Sequence, residues 1–510
     1  MRKTIFKTFV MATVGLAFGL TGILSASAAT PKKGGILNFV VGSKIPSYDG
    51  HIESTFGMIH PIRPFYSLLF RVNPDNPADP TDFLCDVCEG SVPAGAKGGT
   101  EYTFKIRKGL QFHNGAPLNA HDVKATFDKI IFPPEGVPSN RKAMFRMVDS
   151  IVVTDDHTIV FTLKFPSGAF IPAMGMPFNF IYSKKDLDDN GYDWHKKNIN
   201  GSGAFVFVEH VAGSHVAGKR NPNYHHEGKP YLDGFKAISA PKMSIRLQAI
   251  RGDRAAIEFR GFPPKARDDL VNALGDQITV QESDWNWDRY EASQYLANIA
   301  IVKTVGGIVF PSHPLAATAA ELEAMPGFSK DIEASRAEAR ALLKEAGADG
   351  IEFDFNNRGV DQPYKVVGTW LVDQWRQVGL KPIQRVQPSP QFYATLRKKH
   401  DFDVSVDFNC QSIVNPIADV TKFLCSAGNH YSGCENPKLD EIYDRLLRAE
   451  SQDQQRAIMR EFENEAFATG GTALTLWWYK INPHRSYVKG WKIAPSHYLN
   501  QSLDQIWLDK

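Results

Sequence analysis

The sequence predicts an α/β protein with more than one folding unit, and three observations support this. The chain has 510 residues, which corresponds to about three units at about 150 residues each. Hydrophobic residues make up 43% of it and charged residues 22%, so large apolar cores can form and a disordered chain is excluded. Segments of period-two hydrophobicity alternate with segments of helical period, as is typical of α/β lobes.

The first 28 residues have the three parts of a secretory signal. Arg2, Lys3 and Lys7 form a basic start, Phe9–Leu24 is apolar, and an Ala-Ser-Ala cleavage motif ends at Ala28. A transmembrane anchor is the alternative, but the apolar stretch is short and interrupted by glycines. We therefore expect residues 1–28 to be removed on export. No cysteine lies near the cut, so the product should be free in the periplasm.

Charge and hydropathy exclude two further classes of protein. Residues 1–28 carry three basic and no acidic side chains, so the remaining chain has a formal charge of −1. Without a basic excess, nucleic-acid binding is not expected. Mean hydropathy is −0.28. Beyond the first thirty residues no uncharged apolar run reaches the ~18 residues of a membrane span, so a multi-span membrane protein is excluded.

The first half of the chain is predicted to contain strands separated by turns, with helices at 119–130 and 245–250. The first of these begins at Asn119-Ala120-His121-Asp122. Residues 72–100 are rich in Pro, Asp, Gly and Ala and indicate a loop. Strands are expected at Ile36–Val41, Tyr102–Arg107, Ile151–Thr154, Thr158–Leu163, Ala204–Val208 and Ala256–Phe259.

Helices dominate the second half. The clearest covers residues 335–346, with Ser335 as the expected N-cap, Glu338 at the third helical position and Gly347 after the end. A strand is expected at Ile351–Phe355. Further helices are expected at Tyr364–Val378, 438–449 and 452–468, before the apolar segment Leu474–Tyr479.

No catalytic constellation emerges from the motifs. Residues 213–220 resemble a P-loop, but Arg220 stands where a Ser or Thr must ligate magnesium. Gly201-Ser202-Gly203 is not a nucleophile elbow, and no H-E-x-x-H motif is present. His225-His226-Glu227 lacks helical ligand spacing, and His51 and His60 are interpreted as hydrogen-bonded or solvated histidines. We therefore expect no enzyme, metal or cofactor, and a protein that captures a ligand.

Five cysteines remain for disulfides, which an exported protein can form. Cys425 and Cys434 enclose a short polar loop and are predicted to pair. Cys85 and Cys88 are interpreted as a structural pair or as two separate thiols rather than a redox site, because prolines surround them. Cys410 is left over.

Several segments together resemble the family 5 extracellular solute-binding proteins. The most diagnostic is the block from Tyr102 to Val123, which contains Phe112-His113-Asn114-Gly115. Shorter matches are Gly34-Gly35-Ile36-Leu37, Gly201-Ser202-Gly203-Ala204-Phe205, Asn221-Pro222-Asn223-Tyr224, Gly252-Asp253 and Ala341–Gly347. This family contains the dipeptide-, oligopeptide- and nickel-binding components of ABC importers.

The resemblance implies a two-lobed, type II periplasmic-binding-protein-like fold with an extra small domain and a ligand cleft between the lobes. Lobe I would comprise 29–65, 200–280 and 482–510, the extra domain 66–199, and lobe II 281–481. It also implies a monomer that closes around a peptide-like or other polar solute and docks on the permease of an ABC transporter in the inner membrane.

One departure from the family concerns the ligand. Peptide-binding members have an acidic residue that pairs with the α-amino group of the peptide, and aligning on Pro416 puts Ser412 at that position. A neutral hydroxyl cannot make the charge-assisted bond that an ammonium group requires. A carbohydrate, a blocked peptide or another polar solute is then more plausible than a free peptide N-terminus, unless Asp407 or Asp419 compensates.

A second departure is an apparent shortening of lobe II near residues 286–288, where the family has a longer strand and helix. The same mapping suggests the candidate ligand contacts. Arg358, after the strand at 351–355, could meet a carboxylate or a sugar hydroxyl. Trp370 and Trp477–Tyr479 are interpreted mainly as packing residues. The predicted ligand-binding residues are Trp285, Arg358, Asn409, Gln411 and Ser412.

Two alternatives to import remain open. A secreted hydrolase of small peptides or glycans is the first, although no nucleophile, metal triad or carboxylate pair supports it. The second is a sensory role, in which the loaded protein docks on a chemoreceptor.

Overall fold

A computed structural model describes residues 30–282 except 80, 302–304, 306–311, 313–325, 327–396, 401–408, 413, 415–427, 436–468, 471, 477–478 and 480–510. Residues 32–510 form one compact unit. Within the described residues, no helix is both long and apolar enough to cross a membrane.

Strands occur along the whole described chain. They are β1 Ile36–Val41, β2 Phe70–Val72, β3 Phe83–Cys85, β4 Glu101–Lys105, β5 Val148–Asp155, β6 Thr158–Leu163, β7 Phe205–Val211, β8 His215–Arg220, β9 Gly234–Ser239, β10 Ile278–Glu282, β11 Val302–Thr304, β12 Glu352–Arg358, β13 Lys381–Gln387, β14 Val404–Val406, β15 Trp477–Trp478, β16 Ile481–Arg485, β17 Val488–Lys489 and β18 Trp507–Leu508.

The described α-helices range in length from 4 to 17 residues. They are α1 Phe56–Ile62, α2 Ala120–Ile131, α3 Phe170–Met174, α4 Lys184–Asn190, α5 Met243–Arg251, α6 Pro264–Leu274, α7 Ala319–Glu323, α8 Ile332–Glu345, α9 Val366–Gln377, α10 Ser389–Ala394, α11 Pro416–Asp419, α12 Lys438–Arg448 and α13 Gln452–Ala468.

Three sheets of three or four strands organise these elements. One has the order β1-β9-β8-β7, with β1 and β9 parallel and the other neighbours antiparallel. The second, β4-β6-β5, is antiparallel, and the third, β13-β12-β14, is parallel. Parallel strands joined through helices alongside antiparallel hairpins confirm the α/β prediction.

Two large cores and one smaller core bury these sheets. One core lies around Phe104 and Phe161 of the β4-β6-β5 sheet and continues into Leu439 and Tyr443 of α12. A second surrounds the β1-β9-β8-β7 sheet, and a third packs α9 onto β12. The boundaries predicted for the two lobes and the extra domain stay a prediction.

The helix predicted at the end of the diagnostic block is confirmed together with its cap. The Asn119 side chain accepts from the backbone of α2, and the Asp122 carboxylate accepts from the Asn119 N–H. This reciprocal capping box satisfies donors that the first helical turn leaves without partners.

Two expectations about element boundaries are wrong. The helix expected to begin at Ser335 begins at Ile332, and Asp331 is its N-cap, accepting from Ala334 N–H at 2.9 Å. Ser335 lies inside α8 and donates to the Asp331 carbonyl instead. Asp and Ser are both favourable N-cap residues, and the position where the apolar periodicity begins did not distinguish Asp331 from Ser335.

Ala256–Phe259 does not form the expected strand. Ile257 makes single bridges to Phe39 of β1 and His484 of β16, and the pairing ends there. Gly261 follows with φ +102°, and a Cβ atom at this position would lie 2.6 Å from the Ile481 carbonyl oxygen. The backbone conformation at Gly261 favours glycine, and the chain passes close to the Ile481 backbone there. The chain therefore turns away before a longer β-ladder forms. The expected loop at 72–100 also contains a short strand, β3, paired with β2.

Candidate functional site

Arg358 ends the parallel strand β12 and is 1% exposed. Phe355 of the same strand packs into the α9 core. Because side chains alternate along a strand, Asn356 and Arg358 point to the opposite face from Phe355 and Asn357. That face meets α10 and the segment after β1, and the guanidinium group of Arg358 lies between them.

All five N–H donors of Arg358 have hydroxyl partners. Nε donates to Ser389 Oγ at 2.8 Å, at the start of α10. Nη1 donates to the hydroxyls of Tyr364 and Tyr393 at 3.0 and 3.1 Å. Nη2 donates to Ser43 Oγ and Thr55 Oγ1 at 3.2 and 3.1 Å. Arg358 thus joins the segment predicted for lobe II to two residues of the segment predicted for lobe I.

Aromatic rings and a second guanidinium surround this group. The Cζ atom of Arg358 lies 5.5, 4.8 and 5.0 Å from the ring centroids of Phe56, Tyr364 and Tyr393. Arg260, which is 4% exposed, lies 3.9 Å from the Phe56 ring and 5.2 Å from the Tyr364 ring. Two arginines therefore share the same two rings, a geometry typical of cation–π contacts.

Lys480 is a third buried cation near these two arginines. It is 6% exposed and donates to the Ala494 carbonyl at 3.0 Å. Burial lowers the pKa of Lys480 to about 7, since desolvation disfavours the charged ammonium group. Burial also lowers the pKa of the neighbouring His60 to about 3, with a smaller effect from the charges of Lys480 and Arg260, so this imidazole is neutral.

Asp407 and Asp419, the two acidic residues proposed to compensate for Ser412, act on different groups. Desolvation lowers the pKa of Arg358, but the tyrosines and Asp407 raise it, and the net shift is upward. Asp407 therefore lies close enough to act on Arg358. Asp419, the other residue proposed to compensate for Ser412, acts on Tyr443 of α12 instead. We name Arg260, Arg358, Lys480, Phe56 and Tyr364, with Asp407 beside them, the cationic cluster.

The structure places one of the five predicted ligand contacts, Arg358, in this cluster. Trp285, Asn409, Gln411 and Ser412 lie outside the described residues, as does the apparent shortening at 286–288. Their roles stay predictions.

The tryptophans behave largely as predicted. Trp370 packs partly against the α9–β12 core. It also lines a cavity of about 820 Å³ with Met243 of α5 and Asp361. Trp477 donates from Nε1 to the Gly307 carbonyl at 3.0 Å and contacts Phe310, which makes it a packing residue.

The cysteine predictions are partly settled. Cys85 and Cys88 form a disulfide, so they are a pair rather than two separate thiols. Cys425 is disulfide-bonded, and its predicted partner Cys434 lies outside the described residues.

Sequence reasoning missed Arg260 and Lys480 of the cluster and the nearby Asn356. Arg260 and Lys480 come from segments far from Arg358 in sequence, and no spacing rule links them. Asn356 is fully buried, and its side-chain oxygen and nitrogen have no hydrogen-bond partner among the described residues. The signal that could have found it is its position two residues before Arg358, on the same face of β12.

His51 and His60 are confirmed as buried, hydrogen-bonded histidines. Their Nε2 atoms lie 2.9 Å from the carbonyl oxygens of Phe180 and His497, respectively.

Solved structures define the class of fold. The peptide complex of the ABC transporter-associated periplasmic binding protein DppA from Helicobacter pylori is similar, with TM-score 0.77 and 18% identity over 94% of this chain and 99% of that one. The agropinic acid complex of AgaA from A. tumefacien R10 has TM-score 0.77 and 17% identity over 93% and 99% of the two chains. The chain therefore has the two-lobed fold of periplasmic binding proteins.

A family model matches the middle of the chain. Residues 94–288 match the model described as "Bacterial extracellular solute-binding proteins, family 5 Middle". This part of the chain is similar to that family, which confirms the resemblance seen in the sequence.

Curated relatives match over part of their length. Di/tripeptide-binding protein 2 of Pseudomonas aeruginosa (strain UCBPP-PA14) is 28% identical over 204 residues, 36% of this chain and 37% of the relative. Di/tripeptide-binding protein 1 of the same strain is 25% identical over 321 residues, 56% of this chain and 60% of the relative. The matches thus span between about a third and three fifths of these two relatives.

Proposed function

We propose that this chain is the solute-binding component of an ABC importer and that its solute is polar, peptide-like and carries an acidic group. The protein would hold the solute between its lobes, deliver it to a permease and alter no bond. Relatives named for di- and tripeptide binding support the class of solute.

The cationic cluster carries the proposal. Arg260, Arg358 and Lys480 are each at least nine-tenths buried; both arginines lie over the Phe56 ring, and Lys480 lies 5.8 Å from the Trp491 ring. A carboxylate on the solute would carry a charge opposite to that of these groups. The rings would add rigid apolar contact area.

Arg358 supports the closing movement. Its bonds to Ser43 and Thr55 exist only when the segments predicted for lobes I and II are together, whereas its bond to Ser389 lies within the lobe II segment. A solute that contacts both lobes would shift the population toward this closed form.

Asp407 supports a solute with an amino group as well. Ser412 provides no carboxylate, but the charge of Asp407 acts on Arg358. An acid and three cations in one cluster suit a zwitterion better than a neutral sugar.

The proposed location is the periplasm, with residues 1–28 as the export signal and a monomeric product. The disulfide between Cys85 and Cys88 is in keeping with an oxidising compartment. The inner-membrane permease is the proposed partner.

The test is titration calorimetry with a panel of Ala-Ala, Ala-Ala-Ala, their N-acetylated and C-amidated forms, and maltose. We expect the free-carboxylate peptides to bind and C-amidation to weaken binding by at least ~10-fold, because one charge-assisted interaction is lost. Mass spectrometry of the mixture should recover intact peptide. Cleaved products would favour the hydrolase, and preferential binding of maltose or of amidated peptides would contradict an acidic solute.

A further inference from the structure

Asp86, His225 and His226 converge at a place remote in sequence from the cationic cluster. His225 Nε2 lies 2.8 Å and His226 Nε2 lies 2.9 Å from the same oxygen, Asp86 Oδ1. One ligand atom from each of the three residues lies within 4.8 Å of the other two. We propose that these three side chains bind a divalent transition-metal ion of the zinc type.

The carboxylate is held in place on every other side. Asp86 Oδ2 accepts from Leu68 N–H at 2.9 Å, so Oδ1 is turned toward the two imidazoles. Arg107 Nε donates to the Asp86 carbonyl at 2.9 Å. The Cys85–Cys88 disulfide closes the short loop that carries Asp86. Outer contacts of this kind orient a metal ligand before the ion arrives.

The two histidines come from a turn that is also fixed. Tyr224, which precedes them, donates from its hydroxyl to Asp504 Oδ2 at 3.1 Å. Asp504 in turn forms a bidentate ion pair with Arg71, at 2.8 and 3.1 Å. The charge of Arg71 is therefore balanced by Asp504.

The remaining nearby cation, Arg63, lies on the far side of the carboxylate. Its Nη2 atom is 3.8 Å from Asp86 Oδ2 rather than from Oδ1. It reduces the charge available to an ion but does not stand where the ion would sit.

The donor set selects the class of metal. Two imidazole nitrogens and one carboxylate oxygen suit zinc and its neighbours, whereas calcium and magnesium prefer oxygen ligands. Ligands of a tetrahedral zinc ion lie about 3.3 Å apart, so each Nε2 atom would move away from Asp86 Oδ1 by about 0.5 Å to make room for the ion. Three protein ligands leave a fourth position for water. The His226 side chain is 20% exposed, which gives the ion a path from solvent.

The ion would act as a structural tie. Asp86 belongs to the segment predicted for the extra domain and the histidines to the segment predicted for lobe I. The sequence analysis saw only His225-His226-Glu227 and missed the third ligand, which lies 139 residues away from His225.

Zinc alone, added to the untagged full chain after chelator treatment and dialysis, tests the site. We expect one zinc per chain, and binding at least ~10-fold weaker in His225→Gln and in His226→Gln, whose amides can still donate to Asp86. His215→Gln is the matched control, because His215 also contacts an acid, Glu209 at 3.0 Å, but the described part of the chain adds no third ligand there. It should bind zinc like the wild type.

Copper(II) provides a test that needs no variant. Its electron paramagnetic resonance spectrum in the wild-type chain should show coupling to two imidazole nitrogens. The proposal is overturned if the wild type retains no zinc after dialysis, if the His225→Gln/His226→Gln double variant retains as much as the wild type, or if copper couples to no nitrogen.

Discussion

At the scale of single residues, burial of charge is the feature that distinguishes this protein. Arg358 is nearly inaccessible to solvent, yet its hydrogen-bond partners are five neutral hydroxyls. Hydroxyls satisfy the hydrogen-bond donors of Arg358 but carry no charge. The positive charge of Arg358 therefore interacts with more distant groups such as Asp407. Buried charged groups that serve in binding lower the free energy of unfolding, and we expect this effect to be measurable without any solute.

Lys480 provides the measurement. Its pKa is lowered to about 7 from 10.5, so the unfolded chain binds more protons than the folded one between these two values. The penalty for burying the ammonium is complete below pH 7 and disappears as the pH rises toward 10.5. Lys480→Met should therefore stabilise the protein at pH 6, on the order of a few kcal/mol, and weaken the rise in stability with alkaline pH.

Urea unfolding at pH 6 and pH 9 checks this, with the exposed Lys33→Met as the control. An unchanged or lower unfolding free energy of Lys480→Met at pH 6 would contradict the buried, partly neutral lysine.

At the scale of elements, local sequence signals predicted most helices and strands correctly. The block 102–123 gave β4 and α2 with its capping box, because hydrophobic period and capping chemistry agree there. The failures have equally local causes. Two good caps four residues apart compete at the start of α8, and a glycine ends the bridge at Ile257.

The α8 cap gives a test on a single helix. Asp331→Ala should remove the bond to Ala334 N–H and cost about 1 kcal/mol of helix stability, whereas Ser335→Ala should cost little. Because α8 has no buried residues, hydrogen exchange of its amides is the suitable measurement rather than global unfolding. Faster exchange in Ser335→Ala than in Asp331→Ala would restore the original expectation.

At the scale of the whole molecule, sequence reasoning reached the fold and the resemblance to the family, but of the cationic cluster it named only Arg358 and Asp407. Arg358 could be found because it ends a strand in a segment that resembles the family. Arg260 and Lys480 meet it only through tertiary folding, as Asp86 meets His225 and His226. Contacts between distant segments leave no spacing in the sequence, so a single chain without related sequences cannot reveal them.

The closing movement follows from these long-range contacts, and Arg358 is the residue that tests it. Arg358→Met removes the bonds to Ser43 and Thr55 on one side and to Ser389 on the other. We expect peptide binding at least ~10-fold weaker, and a radius of gyration from X-ray scattering that stays larger than that of the wild type at saturating peptide.

Arg358→Lys separates geometry from charge, since lysine keeps the charge but cannot reach five hydroxyls at once. If the planar fork closes the lobes, lysine should behave like methionine in the scattering experiment, whereas Arg336→Met on exposed α8 should match the wild type. Full compaction of Arg358→Met would mean that the solute alone brings the lobes together. Compaction of Arg358→Lys but not of Arg358→Met would assign closure to charge rather than to the hydroxyl contacts.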